Sequence, residues 1–230
     1  MQYAEFFEKP LSEEHLRKLS PENQEYENHI LDIGKRLHYV YQREKRGFGH
    51  AVYQAVDFVR NEPVLLLLGD TLYRSTSNKP CALQLIEEYE RYNCLIIGLY
   101  PVALGDVSHF GIMNGVWEDK DERILNVTTV YEKPTSNYAE EFLAVRNSMG
   151  TREYCSVFGQ YILTPEVFEQ LAHDISEADA EGTTREIELP SALEAVRSRV
   201  GMIGVRLYSQ RFDMGNPAAL VDTITKFSHI

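Results

Sequence analysis

The sequence predicts an α/β fold, a sheet covered by helices on both faces, and three observations carry that expectation. The first is Val64-Leu65-Leu66-Leu67-Leu68, an unbroken apolar run between Pro63 and Gly69-Asp70. That pattern is expected of a central strand buried on both faces in a parallel, helix-covered sheet. The second is the alternation of strand and helix signals from residue 37 to residue 102. The third is composition: 230 residues, 43% hydrophobic and 25% charged, supply enough apolar surface for a sizeable core.

Taken in order, residues 1–36 read as polar helix. Ser20-Pro21-Glu22 offers an N-cap, a proline at the first helical position and an early acid. Residues 37–42 are rich in aromatic and β-branched side chains and predict a short strand, followed by a charged, glycine-punctuated loop. A helix is expected from His50 to about Arg60, then the apolar strand, a helix over Ala82–Tyr92 and a strand over Cys94–Val102. Phe110–Trp117 and Ile124–Glu132 read as a hairpin around the acidic turn 118–122. Val157–Leu163 predicts a strand, and Thr164-Pro165-Glu166 opens a helix carrying Val167, Phe168 and Leu171. The polar stretch 176–184 is expected as a loop. A helix near Leu189–Arg197, a strand at Met202–Leu207 and a helix from Pro217 to Phe227 complete the chain.

Charge and cysteine content exclude several classes. The 23 Lys+Arg against 35 Asp+Glu give a formal net charge of −12, which disfavours nucleic acid and anionic membrane as partners, since both need basic patches. Cys81, Cys94 and Cys155 have neither disulfide-framework nor metal-ligand spacing and read as reduced thiols of a cytoplasmic protein. The first residues lack the pattern of a secretory signal, and no window approaches the roughly 18 apolar residues of a membrane span.

Four places offer chemistry. Asp70 follows Gly69 at the end of the apolar strand, where α/β sheets bind ligands, although Gly-Asp is also an ordinary turn pair. Gln42 and Gly47-Phe48-Gly49-His50 frame a strand-to-helix turn in which glycine permits close backbone approach; a plain turn reads the same way. Glu132-Lys133-Pro134 sets an acid and a base side by side at a strand end, or a pair of solvated edge charges. Phe212-Asp213-Met214-Gly215-Asn216-Pro217 puts a second Asp just before a helix capped by Asn216. Two carboxylates at the ends of separate elements suit a shared Mg²⁺, which takes one or two carboxylates together with phosphate oxygens and water.

In their order these runs, with Phe110-Gly111, Phe158-Gly159-Gln160 and Glu186-Ile187-Glu188-Leu189, resemble the bacterial UTP:glucose-1-phosphate uridylyltransferases among the sugar-phosphate nucleotidyltransferases. The resemblance runs colinearly over residues 37–227. It implies a Rossmann-like nucleotidyltransferase sheet, incomplete at its N-terminal strands, with 1–36 a helical insertion-like segment and 37–230 the nucleotidyltransferase domain. It further implies that Gln42 and Gly47 read the uracil edge and that Asp70 and Asp213 hold Mg²⁺. By the same resemblance Gly111 and Gly159 let backbone approach the hexose, Glu132 binds sugar hydroxyls, and Lys133 meets the phosphate as the catalytic lysine. The implied reaction is attack of a sugar 1-phosphate, glucose 1-phosphate foremost, on the α-phosphorus of UTP, giving UDP-sugar and pyrophosphate. Positioning and charge neutralisation supply most of such catalysis.

Two departures bear on that reading. The family's Gly-x-Gly-Thr-Arg loop, which wraps the triphosphate, does not occur in these residues, and the family's Gln-Leu-Thr-Asp reads Glu188-Leu189-Pro190-Ser191. The isolated chain is therefore expected to be inactive, to leave Val64–Leu68 without a neighbour on one side, and to self-associate or pair with a complementing N-terminal segment. A non-catalytic sugar-nucleotide-binding or regulatory subunit that partners a complete homologue is the alternative reading. A metal-dependent glycosyltransferase would need an Asp-x-Asp pair, which Asp70-Thr71-Leu72 does not supply.

Overall fold

The computed structural model describes residues 2–118 and 120–227; Met1, Asp119 of the expected acidic turn and residues 228–230 lie outside them. The chain forms two compact units, residues 1–43 and residues 44–230.

The first unit holds α1 (Gln2–Glu8), α2 (Glu13–Lys18) and α3 (Pro21–Gly34). Ser12 caps α2 by accepting from the His15 N–H, and Ser20 caps α3 by accepting from the Asn23 N–H, with Pro21 at the first helical position. Gly34 ends α3 against α1: a Cβ there would stand 2.0 Å from the Phe7 carbonyl oxygen, so only glycine permits the approach. The strand expected over 37–42 is not formed. Those residues have no regular structure, and Leu37, Tyr39, Val40 and Tyr41 are exposed. β-propensity acts through cross-strand packing, and among its described residues the first unit holds no strand to provide it.

The second unit contains α4 (Phe48–Tyr53), α5 (Val56–Val59), β1 (Val64–Leu67), β2 (Thr71–Ser75), α6 (Cys81–Tyr92), β3 (Leu95–Val102), β4 (Gly111–Trp117) and β5 (Ile124–Glu132). It continues with α7 (Ser136–Tyr138), β6 (Val145–Arg146), β7 (Arg152–Leu163), α8 (Pro165–Ala180), α9 (Leu189–Val200), β8 (Met202–Arg206), β9 (Ser209–Asp213) and α10 (Pro217–Phe227). The main sheet runs β1-β7-β3-β8-β5-β4, with β6 beside β7, and β2 pairs with β9 in a separate ribbon.

This is the mixed α/β fold the sequence predicts, with two corrections to its sheet. Among the described residues only β3 and β8 are parallel; the other pairings are antiparallel. In addition β1 is not central: among the described residues it pairs with β7 alone, so its other side lacks a neighbour, as expected of the isolated chain, and Leu67 is half exposed. The reason lies in what an apolar run reports. Val64, Leu66 and Leu68 pack into one core with Leu95, Ile97, Leu171 and Leu193, while Leu65 packs into a second with Leu85, Ile96 and Phe158. Both faces of β1 are covered by side chains, which explains the unbroken run; neither strand direction nor rank in the sheet follows from it.

Helices thus lie on both faces, α8 and α9 on one and α6 on the other. The helix expected from His50 to Arg60 is broken at Gln54-Ala55, where Val52, Val56 and Val59 weaken a short helix. The loop expected over 176–184 is helical as far as Ala180, because Leu171, Ile175 and Ala178 continue the apolar face of α8 into the core. Among the described residues no helix is long and apolar enough to cross a membrane.

Candidate functional site

The β2–β9 ribbon determines where the two aspartates stand. Thr71 pairs with Asp213, so Asp70, one residue before β2, and Asp213, the last residue of β9, share one end of the ribbon. The Met214 N–H donates to the Asp70 carbonyl at 2.8 Å, and the Thr223 hydroxyl donates to the Asp213 carbonyl at 2.6 Å, tying α10 to the same place. A Cβ built on Gly215 would lie 3.2 Å from Asp213 Oδ1 and 3.5 Å from Asp70 Oδ2. The two carboxylate oxygens are therefore within about 7 Å of each other, near enough to serve one ion directly or through water.

Both carboxylates open into a cavity of ≈ 710 Å³ that Glu132 and Lys133 also line. Lys133 follows β5 with φ 46°, a left-handed conformation that costs a residue with a Cβ about 1–2 kcal/mol, and its N–H donates to the Phe110 carbonyl at 3.1 Å. Its ammonium stands 3.7 Å from Glu132 Oε1. Burial pushes the Glu132 carboxyl above the ordinary carboxylate range; Lys133 opposes the shift and Glu188 adds to it.

The glycines have local reasons to be there. A Cβ on Gly111 would meet Val157 Cγ2 at 2.8 Å and Glu132 Oε2 at 2.9 Å, so its absence leaves room for the Glu132 carboxylate. Gly159 has φ 89°, and a Cβ there would stand 2.4 Å from the Tyr73 hydroxyl, which donates to the Phe158 carbonyl at 3.1 Å. Gly47, with φ 96°, precedes α4 and packs on the Ile187 main chain, where a Cβ would lie 2.6 Å from the carbonyl oxygen.

Of the residues singled out from sequence, Asp70, Gly111, Glu132, Lys133, Gly159 and Asp213 line one cavity. Gly47 adjoins it through Phe48, which lines it. Gln42 belongs to the N-terminal unit, half-buried in a stretch without regular structure. The sequence reading missed Arg211, Tyr161 and the acids Glu186 and Glu188 as lining residues. Arg211 stands two residues before Asp213, and positions i and i+2 share a face of a strand, but the strand that carries them, β9, is one the sequence reading does not expect.

The donor set fits a hard divalent cation. Asp70 Oδ1 accepts from the Thr71 hydroxyl at 3.2 Å and Asp213 Oδ1 from the Gly215 N–H at 2.7 Å. Neither carboxylate is ion-paired to a described side chain, so both keep acceptor capacity toward the cavity. Two such carboxylates and open volume for phosphate and water suit Mg²⁺, and no third protein ligand is needed.

The chain is similar to known proteins along its length. The pattern of the nucleotidyl transferase family matches residues 5–229. The UTP–glucose-1-phosphate uridylyltransferase of Streptococcus pneumoniae serotype 4 is 34% identical over 190 residues, 82% of this chain and 58% of the relative. The enzyme of the same name from Staphylococcus haemolyticus is 31% identical over 192 residues, 84% and 59%. The chain thus spans under three fifths of the length of these curated relatives. Among solved structures, apo UDP-glucose pyrophosphorylase superposes with a TM-score of 0.79 at 25% identity, covering 99% of this chain and 77% of that one. UDP-glucose pyrophosphorylase complexed with UDP-glucose gives 0.74 at 25% identity, over 92% and 74%. With the family pattern running over 5–229 and the acidic, lysine-bearing cavity within it, the chain belongs to the nucleotidyl transferase family.

Proposed function

We propose that the cavity binds a uridine diphosphate sugar with Mg²⁺, and that the chain serves nucleotidyl transfer from UTP to a sugar 1-phosphate, glucose 1-phosphate foremost. The observation that carries this reading is the meeting of Asp70, Asp213 and the neighbours Glu132 and Lys133 in one cavity, from three places far apart in the chain. The names of the relatives support the choice of uridine and glucose.

Each residue then has a task its chemistry suits. Glu132, half-buried and joined to Lys133, accepts hydrogen bonds from sugar hydroxyls. Lys133, set just after β5 in a left-handed backbone conformation, neutralises a phosphate oxygen. Asp70 and Asp213 would hold Mg²⁺, which when bound spreads the negative charge of the phosphates. In the transfer, the bond from a sugar-phosphate oxygen to the α-phosphorus of UTP forms as the bond to pyrophosphate breaks, and no covalent bond to the chain is required. Transfer by these residues alone is not expected, since no Gly-x-Gly-Thr-Arg run occurs among them.

Thermal unfolding with UDP-glucose, UTP and glucose 1-phosphate, each with Mg²⁺, tests the binding. A ligand that binds only the folded state raises the unfolding midpoint, and UDP-glucose, which reaches both ends of the site, is expected to raise it most. No shift with any of the three would contradict the proposal.

A further inference from the structure

Arg211 stands in the cavity with an unusual absence of partners. Five carboxylates line the same space, Asp70, Glu132, Glu186, Glu188 and Asp213, yet among the described residues the Arg211 guanidinium makes no ion pair and no hydrogen bond. What holds it is aromatic: its Cζ lies 4.9 Å from the centroid of Phe110 and 5.2 Å from that of Tyr100, both within the range of a cation–π contact. Stacking on ring faces fixes a guanidinium while leaving the N–H groups along its edge free to donate. The side chain is half-buried and lines the large cavity and two smaller ones beside it, of ≈ 340 and ≈ 630 Å³.

Charge says what those donors are for. In a chain of net charge −12, with five acids around the cavity, an anionic ligand is repelled unless local cations meet it. Lys133 is already beside Glu132, whereas Arg211 has no acid on it. A planar fork of free donors matches two oxygens of one phosphate, which a single ammonium cannot do. Resting on the sugar-nucleotide reading above, we infer that Arg211 is a phosphate-binding residue of this site, a second cation that takes the diphosphate of the ligand together with Lys133.

The test is calorimetric titration of the full chain with UDP-glucose and Mg²⁺ at several NaCl concentrations, for the unaltered protein, Arg211→Gln and Arg211→Lys. Loss of a charge-assisted bidentate contact is expected to weaken binding by about 10- to 100-fold in Arg211→Gln and to flatten the dependence on salt. Arg211→Lys is expected to keep the salt dependence and recover part of the affinity, since it keeps the charge and loses the fork. Binding by Arg211→Gln within about twofold of the unaltered chain would overturn the inference and leave the site reading standing. No binding of UDP-glucose by the unaltered chain would overturn both. Should Arg211→Gln fail to fold, the Arg211 Nε–H resonance of ¹⁵N-arginine-labelled protein, assigned by its loss in Arg211→Lys, decides: it shifts when UDP-glucose is added if Arg211 binds phosphate, and an unmoved resonance overturns the inference.

Discussion

Asp70 and Asp213, 143 positions apart in the chain, share one end of a two-stranded ribbon, joined by the hydrogen bond from the Met214 N–H to the Asp70 carbonyl. The ribbon's register, in which Thr71 faces Asp213, leaves the two carboxylates at a common opening. Each should therefore matter to cation binding. With UDP-glucose present and Mn²⁺ as the paramagnetic probe, Asp70→Asn and Asp213→Asn are each expected to weaken Mn²⁺ binding by on the order of 10-fold or more. Electron paramagnetic resonance counts the free ion, and unchanged binding in both variants would remove the metal from the site.

Gly159 is where the fold and the cavity impose the same demand. Its left-handed φ and the 2.4 Å approach of a built Cβ to the Tyr73 hydroxyl predict that Gly159→Ala destabilises the protein by about 1–3 kcal/mol. Tyr73→Phe removes the clashing oxygen together with its hydrogen bond to Phe158, and alone should cost about 1 kcal/mol. The pair in one chain should cost less than the two costs added, which chemical denaturation of the four proteins will show. Strict additivity would mean that the hydroxyl is not what the alanine meets.

The Glu132 carboxyl gives stability a pH dependence of known sign. Burial raises its folded-state pKa above the ordinary 4.5, so the folded chain holds this proton to higher pH than the unfolded chain does. The contribution to stability is fully present below the unfolded value and is lost as pH rises through the folded one. Relative to the unaltered protein, Glu132→Gln should therefore gain stability between about pH 4 and pH 7. Urea denaturation across that range reads it, and a difference that shrinks with rising pH would show that the Lys133 charge outweighs burial.

The three cysteines should be silent in the native protein. All are buried, and burial pushes the thiol of Cys94 up to about 11 and that of Cys155 up to about 12, with Cys81 raised as well. The thiolate is the reactive form, so a colorimetric thiol reagent near pH 8 should titrate none of them quickly before unfolding and all of them after it. A fast-reacting thiol in the folded chain would show that one of the two cores opens.

Much of this was legible in the sequence, for identifiable reasons. The start of α10 at Pro217 after the Asn216 cap, the β4–β5 hairpin and the Ser20-Pro21 start of α3 follow from caps, prolines and alternation, all local signals. The meeting of Glu132, Lys133, Asp70 and Asp213 came from the order of motifs; no single motif contains it. What the sequence did not show is pairing. The strand expected at 37–42 is not formed, β1 meets β7 in an antiparallel pairing that its apolar run does not record, and the β2–β9 ribbon joins two five-residue segments that carry little signal apart. Which strand lies beside which is set by contacts distant in the chain, and periodicity holds no record of them. Arg211 was missed for that reason: its role depends on Tyr100 and Phe110, which only the folded sheet brings beneath it.

The most direct measurement is a calorimetric titration of the chain with UDP-glucose in Mg²⁺, repeated for Lys133→Ala. Saturable binding with one site per chain, weakened by about 10-fold or more in Lys133→Ala, is the predicted result, because that lysine meets the phosphate in a cavity that five carboxylates line. No saturable heat, or equal binding by the two proteins, would contradict the assignment of this cavity to a sugar nucleotide.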